Sequence, residues 1–202
     1  MSVYGALSQW NPGLEDSTIL RAAYTAMPGD PQTSIPWPVR LAENPASPIA
    51  LPGAVDLFGH DCIHIVLGRG ALPQDEAFIV GTTMGASGRL RGWQQSLFTA
   101  WARATYRGPF RWTAADRQIF ELAVRFGRTS GMHPLHSVNW HAMLDVPLGE
   151  IRRSLGIQRR ELLTAFAQER MLLPHTPASQ RLPGGAAATT SASRARVPAP
   201  AV

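Results

Sequence analysis

Two apolar stretches, LFGHDCIHIVL from Leu57 and AFIVGTTMGA from Ala77, are separated by Gly68-Arg69-Gly70 and Pro73. Few arrangements satisfy that pattern. Glycine takes the left-handed conformation that ends a helix, and proline suits the first turn of the next one. The chain is therefore expected to fold back on itself as a helical hairpin spanning Asp56 to Gly88. Within this apolar region stand His60, Asp61, His64 and Glu76. Buried imidazoles and carboxylates need partners, and a cation is one such partner.

A helix advances about 100° per residue, so His60 and His64 lie one turn apart on one face. Asp61 flanks that face, whereas Cys62 points about 200° away from His60. Glu76 falls three residues after Pro73 and His64 four before Gly68. If the second helix returns along the first, Glu76 and His64 come to the same height. The expected site holds two imidazoles and up to two carboxylates, with Asp61 either a ligand or an acceptor that orients an imidazole. Alternatives of lower demand are an exposed histidine pair and an acidic residue complementing a helix dipole. The same donors suit zinc and iron(II), and donor types alone do not choose between them.

The pattern His60-Asp61-x-x-His64, then eleven residues, then Glu76, resembles the metal-ligand signature of the coenzyme Q biosynthesis protein 4 family. Trp140 and the PLGEIRRSLGI run from Pro147 to Ile157 are similar to features near that family's C-terminal end, and the resemblance spans about residues 12 to 172. It implies that all four motif residues hold a divalent metal, zinc ahead of iron(II), in a helical protein peripheral to membranes. It also implies an isoprenoid lipid or prenylated quinone precursor as ligand, and a homodimer or a quinone-biosynthesis complex as assembly. The implied activity is removal of the ring carboxylate from a polyprenylated hydroxybenzoate, with hydroxylation of the vacated carbon in an oxidative version. The alternative is a non-catalytic lipid-binding scaffold with a structural metal. A His-Asp phosphohydrolase fits less well, because it needs an earlier histidine and His60 is the first in the chain.

Gly81, Gly85 and Gly88 leave one side of the second hairpin helix bare. Such a side admits a neighbouring helix or a chain-like ligand, and Gly81 and Gly85 are the candidate substrate-binding positions. The remainder reads as helices too. Asp16 or Ser17 can cap a helix presenting Ile19, Leu20, Ala23 and Tyr24. A stripe of Leu90, Trp93, Leu97, Trp101 and Ala104 makes a core helix over 90–106. Arg103 and Arg107 near its end complement its dipole or pair with an anionic group of a substrate. Thr113 and Asp116 form a capping box for a helix ending at Phe126 before Gly127. Pro147 opens another helix, Gly156 closes it, and a last one covers 158–171. His133, His136 and His141 fall outside the signature and are read as surface residues.

Seven prolines between Pro28 and Pro52 exclude a regular helix there. This loop is expected to wrap the hairpin, anchored by Trp37, Val39 and Leu41. With no convincing alternating strand, the expected fold is a single all-α domain over 12–173, preceded by a flexible 1–11 and followed by a disordered tail over 174–202 that is poor in large apolar residues.

A single cysteine excludes an internal disulfide and fits a reducing compartment. No secretory leader is expected at the start, and no apolar run approaches the roughly 20 residues that span a bilayer. The expected location is cytoplasmic, with at most peripheral contact on the inner membrane face. The net charge of +5 and pI near 10.6 would suit an anionic surface. The arginines are dispersed, two of them at Arg194 and Arg196, and no nucleic-acid-binding motif is present, so nucleic acid is not an expected partner.

Overall fold

The protein is described by a computed structural model over residues 9–28, 53–95, 98 and 112–185. Among these residues the fold is all-α, and the single β-bridge joins Ile19 to Pro147. The helices are α1 (Leu20–Thr25), α2 (Leu57–Leu67), α3 (Pro73–Ala86), α4 (Ala114–Thr129), α5 (Leu148–Ser154), α6 (Arg159–Leu172) and α7 (Pro177–Arg181), with 3-10 turns at Leu135–Ser137 and Trp140–Met143. None of the described helices is long and apolar enough to cross a membrane. The loop anchors Trp37, Val39 and Leu41 lie outside the described residues.

The central element is α2. Asp56 caps it by accepting from the Gly59 N–H at 2.7 Å, and Gly68, at φ 67°, ends it in the left-handed conformation. Its residues from Cys62 to Leu67 are all buried, and His64 is the one polar side chain among them. A helix apolar on all sides belongs inside a fold rather than on it. Its apolar residues share one core with Phe78, Ile79, Leu135, Ile151 and Phe166, among others.

Pro73 occupies the first turn of α3 as expected. This helix makes its most extensive contact with α4, and the bare glycine side explains how. A Cβ on Gly81 would stand 2.6 Å from the Phe120 carbonyl oxygen, one on Gly85 2.4 Å from that of Val124, and one on Gly127 2.3 Å from that of Thr82. Only glycine permits backbones this close. The expectation that Gly81 and Gly85 line a substrate groove is therefore corrected: α4 fills that space. Gly127, expected just past the end of α4, lies inside the helix for the same reason. The Thr113–Asp116 capping box forms as predicted, with Asp116 accepting from the Thr113 N–H at 2.7 Å.

Other expectations change as well. The start of α1 has no side-chain cap; Asp16 instead binds Arg152 at 2.6 Å and Arg159 at 3.1 Å, and Ile19 is exposed. Trp93, assigned to a core stripe, is 61% exposed, while Phe98 is buried against Trp112 and Phe120. The stripe's Leu97, Trp101 and Ala104, with Arg103 and Arg107, lie outside the described residues. The segment from Pro174 to Gly185 is ordered, not a disordered tail. Thr176 caps α7, Pro177 sits at its start, and Ala178, Ser179 and Leu182 are buried. The sparse apolar content hid this: the few apolar residues, Ala178 and Leu182, are buried, and Ser179 and Arg181 add polar contacts. The N-terminal stretch also packs: Trp10 lies against the core and Asn11 donates to the Arg181 carbonyl at 3.1 Å.

Candidate metal centre

The hairpin brings His60, His64 and Glu76 together. His60 Nε2 lies 3.2 Å from each Glu76 carboxylate oxygen, His64 Nε2 lies 3.2 Å from Oε2, and the two ring nitrogens are 3.0 Å apart. Ligand atoms about 2.1 Å from a common centre are separated by roughly 3.0 Å at right angles and about 3.4 Å at tetrahedral angles. The observed edges match the mutually adjacent arrangement of a two-histidine, one-carboxylate set, which leaves other positions around a metal free.

The tautomer of His64 follows from its other nitrogen. Nδ1 lies 2.7 Å from the Gly70 carbonyl oxygen, which can only accept, so Nδ1 carries the hydrogen. In the neutral ring Nε2 then presents its lone pair to Glu76. Two facing acceptors repel unless a proton or a cation stands between them. Burial opposes ionisation of Glu76, but when the imidazoles are protonated the charges and hydrogen bonds of His60 and His64 outweigh it and hold its carboxyl well below the usual carboxylate range. The carboxylate is thus ready to serve as an anionic ligand. Side-chain exposure grades across the set, from 3% at His64 to 14% at His60 and 24% at Glu76, so one side of the cluster is reachable from solvent.

Asp61 stands outside the three-residue group. Tyr24 and Cys62 are raised first by burial and then by the charge of Asp61. Cys62 points away from the cluster as expected, and burial foremost pushes its thiol up to about 12. His133 and His141 are exposed and His136 is half-buried, all three outside the cluster; the His141 ring packs 4.2 Å from that of Phe58.

The turn behind His64 is fixed by groups that sequence reasoning did not single out. Arg69, between the two glycines, is fully buried and forks onto Glu169 at 2.8 and 2.9 Å, with Asp75 at 3.1 Å. Gln74 donates to Glu169 at 2.6 Å and to Ser179 at 2.8 Å, and Arg181 reaches Asp75 at 2.7 Å. Burial works against the Arg69 charge, and Glu169 and Asp75 more than offset it. A lone arginine between two apolar helices was the one available signal that a buried acid must exist elsewhere.

The fold and site define a helical protein with a two-histidine, one-carboxylate candidate metal centre. No protein-family model, no curated protein and no solved structure matches this chain.

Proposed function

We propose that this protein is a divalent-metal enzyme of quinone biosynthesis that removes the carboxylate from a polyprenylated hydroxybenzoate ring. The observation that carries the metal half of this reading is the convergence of His60, His64 and Glu76 with edges of 3.0 to 3.2 Å. The substrate half rests on the resemblance of the His60-Asp61-x-x-His64…Glu76 pattern and of the Pro147 to Ile157 run.

A zinc or iron(II) ion held by these donors would supply Lewis-acid polarisation of a bound oxygen group, and iron(II) also dioxygen chemistry. The chain's own residues do the rest. Gly70 fixes the His64 ring so that Nε2 faces the site, and Glu76 contributes the carboxylate of the donor set. The more exposed edge at Glu76 and His60 gives a ring carboxylate or phenolic oxygen its access. In the simple decarboxylation the ring-to-carboxylate C–C bond breaks, carbon dioxide leaves and a proton takes its place on the ring. In the oxidative version dioxygen takes up the electron pair of the broken C–C bond and leaves as hydrogen peroxide, carbon dioxide is released, and water supplies the hydroxyl left on that carbon. Peripheral contact with a membrane, where such substrates reside, and a homodimer or larger complex belong to the same proposal.

A second reading, a structural metal in a non-catalytic protein, is favoured by the deep burial of His64. Elemental analysis of purified protein separates both from a metal-free protein: about one equivalent of metal is expected, lost in His64→Ala and in Glu76→Ala and retained in Asp61→Asn. Metal retained by the first two variants would remove the site assignment. Turnover of a prenylated hydroxybenzoate by the loaded protein then decides between enzyme and structural metal.

A further inference from the structure

The buried ionic cluster behind the hairpin turn contains more polar groups than a helix turn needs. Arg69 meets Glu169 through both terminal nitrogens, while its buried Nε has no hydrogen-bond partner. The cluster continues beyond this pair. Asp75 accepts from the Leu72 N–H at 3.0 Å, receives Arg69 at 3.1 Å and receives Arg181 at 2.7 Å. Gln74 ties Glu169 to Ser179, and Arg181 also donates to the Trp10 carbonyl at 3.2 Å. Three segments therefore close on the turn: the N-terminal stretch, α6 and α7.

What they enclose is Gly70. A Cβ at this position would lie 2.6 Å from the Trp10 carbonyl oxygen, 2.9 Å from Arg181 Nη2 and 3.0 Å from Asp75 Oδ2. Its carbonyl is the group that accepts from His64 Nδ1 at 2.7 Å. Arg181 touches the wall around Gly70 and neutralises Asp75, but reaches no metal-ligating atom. Its position lets it act on His64 through one intermediary, the peptide of Gly70.

We infer that Arg181, presented by α7, is a positioning residue for the metal centre: it clamps the Gly70 peptide so that His64 keeps its hydrogen on Nδ1 and its lone pair toward His60 and Glu76. This rests on the proposed metal site for its consequence, while the orientation of His64 belongs to the chain alone. Outer partners that hold a ligating imidazole change metal affinity by about 10 to 100-fold when removed. Arg181 acts at one remove, so a loss near the lower end, about tenfold, is expected.

The test uses the full chain with Arg181→Met, Arg181→Lys and a distant helix-cap variant, Thr113→Ala, as control. Proton–nitrogen correlation NMR of the metal-free protein reads which nitrogen of His64 carries the hydrogen, and titration with zinc and cobalt(II) reads affinity and the ligand-field spectrum. Native protein and Thr113→Ala are expected to hold the Nδ1–H form. Arg181→Met is expected to populate both forms, bind zinc about tenfold more weakly and shift the cobalt spectrum. Arg181→Lys, which keeps the charge toward Asp75, is expected to recover part of the loss and serves if Arg181→Met does not fold. An unchanged His64 form in the folded variants, with zinc affinity within twofold of native, overturns the inference. If native protein binds no metal while the His64 form still responds to Arg181, the metal proposal fails and the positioning role stands.

Discussion

Removing the charge of Glu169 tests whether the buried cluster supports the fold. Glu169 and Arg69 are both fully buried, and Arg69 additionally lies over the rings of Phe78 and Phe166, 4.6 and 5.3 Å from their centroids. In Glu169→Gln the amide can accept from one guanidinium nitrogen but must turn its own N–H groups toward the other or toward Gln74. Breaking one partner of a buried pair costs about 3–5 kcal/mol. Asp75, at 3.1 Å from Arg69, remains as counter-charge, which places the expected loss near the lower end, about 3 kcal/mol. For a domain of this size each kcal/mol moves the melting temperature by about 2–4 °C, so a fall of about 6–12 °C is expected. Thermal unfolding followed by circular dichroism at neutral pH measures it. The pair Arg69→Met with Glu169→Leu should recover most of the loss, since apolar replacements of a whole buried pair are often neutral or stabilising. A fall of less than about 2 °C in the single variant would show that the pair contributes no net stability here, contrary to the cost expected for an unmatched buried charge.

The helix crossing predicts that Gly127→Ala forces α3 and α4 apart and costs at least about 1–3 kcal/mol in urea unfolding, whereas Gly92→Ala, with nothing within 4 Å of the new Cβ, leaves the midpoint unchanged; equal effects would refute the close approach. Leu182→Ala should cost about 2–4 kcal/mol because Leu182 is 2% exposed, and no change would mean that the segment after Pro174 does not pack. Cys62, raised from 9.0 to about 12, stays a thiol in the folded chain at pH 8 and should react with iodoacetamide only on unfolding. Its stability contribution is fully present below pH 9.0 and is lost as the solution rises toward pH 12, since the unfolded thiol ionises first. Prompt labelling of native protein at pH 8 would contradict that burial.

The hairpin was legible because its punctuation is local. Gly68, Pro73 and the 3.6-residue period fix both helices, and the heights of His64 and Glu76 follow by counting. Glycine placement was legible only as two alternatives, since a bare helix side does not say what covers it; the carbonyls of Phe120 and Val124 decide it for Gly81 and Gly85. Asp61 shares the motif but not the cluster, because a residue one position from His60 is turned about 100° away on the helix. The role of α7 was hidden for a different reason. Its attachment depends on Ser179 and Arg181, residues whose types signal solvent in a sequence and whose buried partners lie about a hundred positions earlier.

The separation along the chain sets an order of assembly. His60 and Glu76 are 16 positions apart, so the donor set closes a short loop at small entropic cost and belongs to one hairpin. Arg69 and Glu169 are 100 positions apart, and Asp75 and Arg181 are 106 apart. Contacts of that span form after local ones, and in a chain made from its N-terminus the first waits for α6 and the second for α7. The ligands can thus meet early in synthesis, while the turn that orients them is locked only once α7 has been made.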